Sequence, residues 1–230
     1  MIYFTGDLHR DIDISKLNTK NFPDQKNLSK EDYVIICGDF GCIWDGSNSD
    51  KYWLKWLEQK SFTTLFVDGN HENFNLLYEY PTMAKFNGTV GVINHSVFHL
   101  RRGEVYTIDN KKIFTFGGAR SHDIESREKD VTWWEDEMPT QSEFDYGLEM
   151  LKKHNFNIDI IVSHTCPESI FMKLQEEDQE VTELERYLEG IRNMLDLKET
   201  EYKWYFGHFH KDMCIDDSFY CLYKTIKAIR

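Results

Sequence analysis

Cysteine is scarce here and shows no pairing pattern. The five residues (Cys37, Cys42, Cys166, Cys214, Cys221) are odd in number and form no C-x-x-C pair. A disulfide framework is therefore not expected, and the usage fits a reducing compartment. Proline is scarcer still: Pro23, Pro81, Pro139 and Pro167 never cluster into a linker. Low-complexity segments and internal repeats are absent. No apolar run approaches the ~18 residues of a membrane helix. The opening Met-Ile-Tyr-Phe-Thr-Gly-Asp carries no basic segment ahead of an apolar one. The expected location is cytoplasmic, with no membrane partner. Positive charge is also short, with 27 Lys and Arg against 40 Asp and Glu for a net charge of −13. Such a chain repels polyanions at long range, which excludes sequence-independent wrapping of long duplex nucleic acid. A small anionic substrate would need a local positive centre.

What is present describes a folded chain. Of 230 residues, 40% are apolar and 15% aromatic, against a disordered composition. A single domain over 1–230 is expected. Ile2–Thr5, Tyr33–Cys37, Thr63–Val67, Ile158–Val162 and Trp204–Phe206 are short, nearly continuous apolar runs, the pattern of strands covered on both faces. A second strand group is predicted at Val90–Ile93, Ser96–Leu100, Glu104–Ile108 and Lys112–Phe116. Within it, Asp109 and Asn110 turn a hairpin. Helical stripes run through Trp53, Trp56 and Leu57, through Phe144, Leu148 and Leu151 behind a Thr140–Glu143 capping box, and through Leu184, Leu188, Ile191 and Leu195. These stripes are expected to face the core. Strands alternating with helices indicate an α/β fold.

Five short motifs leave the predicted strand ends in order: Gly-Asp-Leu-His at 6–9, Gly-Asp-Phe-Gly at 38–41, Gly-Asn-His-Glu at 69–72, Ser-His at 163–164 and Gly-His-Phe-His at 207–210. Ligands of α/β folds gather at the carboxyl ends of strands. The motifs carry seven oxygen and imidazole ligands, the donor types favoured by divalent metals of intermediate hardness and enough for two of them. Asp7 and His9, like His208 and His210, are two apart, and in extended chain such pairs face one side. Asn70 and His71 are adjacent and should do different work. The preceding glycines allow sharp turns and close approach to a metal or phosphate.

The ordered set resembles the calcineurin-like metallophosphoesterase superfamily, from residue 6 to residue 210. That resemblance implies two stacked mixed β-sheets flanked by helices, a four-layer α/β/β/α sandwich with two metals between the sheet ends. It assigns Asp7, His9 and His210 to one metal and Asn70, His164 and His208 to the other, with Asp39 bridging both. It makes His71 a proton donor or phosphate contact rather than a ligand. Two departures stand out. Many relatives continue the second motif to an Asp-Arg-Gly whose Arg grips phosphate, whereas this chain reads Gly41-Cys42-Ile43-Trp44, which disfavours the protein phosphatase branch. Arg10 stands where many members have Gly. The stretch Gly117-Gly118-Ala119-Arg120, followed by Trp133-Trp134, Glu137 and Pro139, is similar to small bacterial and phage members.

The expected activity is hydrolysis of a phosphoester, with a lean to diesters. Two cations ~3.5–4 Å apart clamp attacking and leaving oxygens and supply hydroxide near neutral pH. Asn70, a neutral ligand, leaves more positive charge on its metal than Asp would, and His71 is suited to protonate the leaving oxygen. Manganese is the first expectation, with iron, zinc, nickel or cobalt as alternatives. The partner is a small phosphorylated or nucleotide-like substrate. The alternatives are a phosphomonoesterase or protein phosphatase, and a catalytically silent scaffold of the same fold. A metallo-β-lactamase type would need H-x-H-x-D-H, and Met213 stands at its last position.

Arg10 and Arg120 are candidates to hold substrate phosphate, or else ordinary surface ion pairs. Trp133 and Trp134 read as packing rather than a cleft cover, Cys166 as a small buried filler, and Glu176–Glu180 as a solvated helix start or loop. His95, His99 and His154 read as surface or satisfied core residues, and His122, after the Gly117–Arg120 loop, as an incidental loop residue rather than a lining of the cleft.

Overall fold

The computed structural model describes residues 1–174 and 180–229. Of the acidic stretch Glu176–Glu180, only Glu180 falls among the described residues. Thirteen strands among them form two mixed sheets. The first contains β1 (Ile2–Thr5), β2 (Tyr33–Cys37), β3 (Thr63–Val67), β4 (Thr82–Lys85), β5 (Gly88–Asn94) and β6 (Val97–Leu100). The second contains β7 (Val105–Ile108), β8 (Lys111–Phe116), β9 (Ile160–Ser163), β10 (Lys203–Phe206), β11 (Met213–Ile215) and β12 (Phe219–Cys221). The last strand, β13 (Lys227–Ile229), returns to the first sheet, whose order is β13-β1-β2-β3-β6-β5-β4. The second sheet runs β11-β12-β10-β9-β8-β7. In each sheet four central strands are parallel and the edges antiparallel.

The apolar alternation within each strand explains the layering. Ile2, Phe4, Ile35, Cys37, Leu65 and Val67 point inward to meet Ile113, Ile160, Val162 and Tyr205 of the facing sheet. Phe4 and Tyr205 stack across the gap, with ring centroids 4.1 Å apart. The alternate residues Tyr3, Val34, Ile36 and Phe66 point outward and pack with Leu57 of α1 (Asn48–Glu58) and, after the four-residue α2 (Phe74–Leu77), with Phe74 and Leu77. On the far side, α3 (Gln141–Lys153), α4 (Glu168–Leu174) and α5 (Glu183–Leu197) cover the second sheet. The result is the predicted α/β sandwich of two mixed sheets with helices around them.

Local chemistry accounts for the element ends. Thr140 and Glu143 form the predicted capping box on α3, and Thr182 and Glu185 form a second on α5. Asp109 and Asn110 both adopt left-handed backbone (φ +48° and +61°), as the two-residue β7–β8 hairpin requires. Leu184, Leu188, Ile191 and Leu195 are fully buried, while Trp53 and Trp56 of α1 are only half-buried. Cys166 is a buried filler among the apolar side chains of the second sheet. No helix among the described residues is long and apolar enough to cross a membrane. This architecture brings the carboxyl ends of β1, β2 and β3 opposite those of β9 and β10.

Candidate metal centre

Each motif begins where a central parallel strand stops: after Thr5, Cys37, Val67 and Phe206, and on Ser163 itself. The side chains converge on Asp39. Its Oδ2 is 3.2 Å from His9 Nε2 and its Oδ1 is 3.2 Å from His164 Nε2. One carboxylate thus faces two imidazoles, one per oxygen, which is the arrangement a bridging ligand needs. His164 Nε2 is also 3.2 Å from Asn70 Oδ1, and His210 Nε2 is 3.7 Å from Asp7 Oδ2. The His9 and His210 rings lie 5.0 Å apart, as do those of His164 and His208. These contacts link Asp7, His9, Asp39, Asn70, His164, His208 and His210 into one cluster of neighbouring side chains. Donor atoms of His9, Asp39 and His210 cluster within 4.8 Å of one another, as do those of Asp7, Asp39 and His164.

The ligands are not aimed by strand alternation. His9, His208 and His210 have φ values of +41°, +67° and +51°, so the chain has left the extended conformation before these side chains project. The glycines serve mainly to clear space. A Cβ on Gly38, itself at φ +91°, would lie 2.1 Å from His164 Nδ1, and a Cβ on Gly69 would lie 2.1 Å from Asp39 Oδ1. The side chains they admit are the proposed ligands themselves.

Hydrogen bonds behind the centre fix which ring nitrogen faces inward. His164 Nδ1 donates to the Cys37 carbonyl at 2.8 Å, leaving Nε2 toward Asp39 and Asn70. His9 Nδ1 donates to Asp13 Oδ2 at 2.9 Å, and the Tyr223 hydroxyl donates to Asp13 Oδ1 at 3.0 Å. Asn70 Nδ2 donates to Ser121 Oγ at 3.2 Å, while Ser121 Oγ and backbone N donate to Glu137 at 2.8 Å each. This turns the Asn70 carbonyl oxygen toward His164. Lys16 Nζ, buried below, donates to the Gly6 and Asp7 carbonyls at 3.0 and 2.7 Å and to that of Tyr223. Outer partners of this kind typically govern ligand orientation and basicity. Asp13→Ala is therefore expected to weaken manganese affinity about 10–100-fold, measured by calorimetric titration; an unchanged affinity would show that His9 needs no such tether.

The electrostatics fit a cation. Asp7 and Asp39 are fully buried, and among the described residues Asp7 Oδ2 has no hydrogen-bond partner. Burial raises the Asp7 carboxyl, against the pull of His164. Burial also works against the Asp39 carboxylate, but His164 and His9 hold it well below the usual range. Burial alone would lower His9 and His164, yet the Asp39 carboxylate raises both to about 9. Carboxylates buried this deeply demand positive charge beside them. Protons on the two imidazoles answer that demand, and divalent cations would answer it at the same atoms. His208 is pushed well below its ordinary value by burial and by His164, which favours the neutral, ligating form.

His71 stands apart from this set. Its backbone N–H donates to Asp39 Oδ1 at 2.8 Å, while its ring packs 5.2 Å from that of His9 and 6.5 Å from that of Trp44. Asn70 and His71 thus point different ways, as expected. A cavity of about 210 Å³ beside the centre is lined by His9, Arg10, Ile12, Trp44 and His71. Trp134 is buried edge-on against Trp44, with centroids 5.5 Å apart, in keeping with packing. His122 comes within 5.5 Å of the His208 ring and borders the centre. The two candidate phosphate arginines are engaged elsewhere. Arg10 lines the cavity but bonds Asp50 at 3.0 Å and Asp11 at 3.2 Å. Arg120 is about half exposed, at 52%, and faces Glu180 at 3.8 Å. Sequence reasoning missed Asp13, Lys16, Ser121 and Arg127, since none sits in a motif.

A family model described as calcineurin-like phosphoesterase matches residues 1–212. The lariat debranching enzyme of Arabidopsis thaliana is 25% identical over 239 aligned residues, covering 91% of this chain and 54% of that protein. The chain spans about half the length of this curated relative.

Proposed function

Because the chain belongs to the calcineurin-like phosphoesterase family, we propose that it is a binuclear metal-dependent hydrolase of small phosphoesters. The observation that carries this reading is Asp39 with its two oxygens turned to His9 and His164, 3.2 Å each, beside four further donors, Asp7, Asn70, His208 and His210. Asp7, His9 and His210 would hold one cation, Asn70, His164 and His208 the other, and Asp39 both. Two divalent cations held there would supply Lewis acidity toward the phosphoryl oxygens. The residues do the rest. Asn70 contributes oxygen without charge, which keeps the centre attractive to an anion. The hydrogen bonds from His9 and His164 to Asp13 and Cys37 keep both rings aimed inward. His71 holds a proton at its ring for the departing oxygen. Burial lowers this imidazole against the pull of Asp39, with Arg127 adding to the lowering, so the protonated donor form is the minor one near neutral pH and grows as pH falls.

Manganese is the metal we favour, the cytoplasm the location, and a nucleotide-like phosphodiester the substrate. Similarity to a lariat debranching enzyme supports the nucleotide-like class, and the absence of an Asp-Arg-Gly second motif argues against a protein phosphatase. Elemental analysis combined with turnover of bis-p-nitrophenyl phosphate and p-nitrophenyl phosphate tests this. About two manganese ions per chain, faster diester than monoester cleavage, and loss of both activities on chelation are the expected results. A protein that binds no metal and cleaves neither ester would instead be a scaffold. Faster monoester cleavage would reverse the substrate class.

A further inference from the structure

We propose that Arg127 is the side chain that grips the substrate's phosphoryl oxygens, delivered by the loop over residues 117–138 and not by any of the five motifs. The inference rests on the phosphoesterase reading and extends it to substrate recognition. The loop is anchored at its base and along its course. The Gly118 N–H donates to the Asp68 carbonyl at 2.9 Å, and Arg102, whose Nε donates to Asp68 Oδ2 at 2.8 Å, reaches the Asp136 carbonyl at 2.7 Å. Between these anchors Ser121 fastens the loop to Asn70. Six residues later the guanidinium of Arg127 arrives with Nη2 3.5 Å from His71 Nε2.

The guanidinium is held at one edge and presented at the other. Nε pairs with Asp123 Oδ1 at 2.7 Å and Nη1 donates to the Thr132 carbonyl at 3.3 Å. The Asp123 side chain is 56% exposed and that of Arg127 only 16%, so the tether lies on the solvent side. Toward the centre, the one partner of Nη2 among the described residues is the His71 ring, a weak and long contact for a cationic donor. An anionic oxygen entering between them would exchange that contact for a charge-assisted hydrogen bond. Arg10 pairs with Asp11 and Asp50, and Arg120 is about half exposed beside Glu180, whereas Arg127 keeps Nη2 turned to the His71 ring. In a chain of net charge −13, a rigidly presented guanidinium beside His71 is what an anionic substrate would meet.

The test measures affinity for inorganic phosphate by calorimetry on the manganese-loaded wild type, R127A and R127K, with metal content and ester kinetics alongside. R127A is expected to weaken phosphate binding about tenfold or more, the size of one charge-assisted hydrogen bond, and to raise KM for both p-nitrophenyl esters more than it lowers kcat. R127K should recover part of the loss, keeping the charge without the fork. Metal content should not change. Wild-type phosphate affinity in both variants, no measurable affinity in the wild type, or metal loss in R127A would each overturn the assignment. If phosphate binds through Arg127 but neither ester is cleaved, the hydrolase reading fails and the contact stands. If the wild type cleaves esters and R127A keeps its KM and phosphate affinity, the contact alone fails.

Discussion

Asp39→Asn is expected to strip the chain of most of its divalent metal and, with it, most of its turnover. The substitution is nearly isosteric, and the retained oxygen can still accept the His71 N–H that Asp39 Oδ1 now receives at 2.8 Å. The Gly69–Glu72 turn should therefore persist. What disappears is the negative charge and one of two oxygens, the pair that faces His9 and His164 together. Asp39 is the member shared by the two donor clusters, His9–Asp39–His210 and Asp7–Asp39–His164. An outer partner of a metal ligand is worth about 10–100-fold in affinity, so the loss here should exceed 100-fold and affect both cations. Elemental analysis after dialysis reads the outcome directly. Two metals per chain retained by Asp39→Asn would end the bridging assignment.

Much of this site was legible because it is local. Each motif sits at the exit of a buried strand, and a run such as Tyr33–Cys37 announces both the strand and its exit. The apolar faces of α3 and α5 were legible for the same reason, since periodicity and capping boxes are short-range. The edge strands β4, β11 and β13 were not. They have three or four residues, mostly exposed or half-buried; β4 and β11 pair with the neighbouring β5 and β12 without an apolar pattern to announce them, and β13 pairs with a distant partner, Ile229 with Ile2. Strand β9 starts at Ile160 instead of Ile158 because the Asp159 side chain accepts the Lys112 N–H at 2.8 Å. The reason given for Asp7 and His9 facing one cavity was wrong in mechanism: left-handed backbone at His9 and Arg10 replaces extended alternation. Least legible was the loop over 117–138, which carries no periodicity. Only closure of the chain over Asp68 and Arg102 brings Ser121 to Asn70 and Arg127 to His71.

His71→Ala should produce the opposite dissociation of effects: turnover down by about 10²–10⁴-fold, the usual span for a general acid, with both metals still bound. The structural basis is that His71 reaches Asp39 only through its backbone N–H, which alanine keeps. Its ring instead spans the space between His9, Trp44 and Arg127, outside the metal-ligand set. Loss of the ring therefore removes a proton source without removing a ligand. The leaving group supplies an internal control. Nitrophenolate departs without protonation, whereas an alkoxide such as a ribose hydroxyl does not, so the variant should be impaired far more on an alkyl or nucleoside ester than on the nitrophenyl ester. Equal losses on both would shift His71 from proton donor to phosphate contact, and undiminished turnover would remove it from the mechanism. A fall in metal content would instead make the ring a structural support of the centre, contrary to its position beside the cluster of donors.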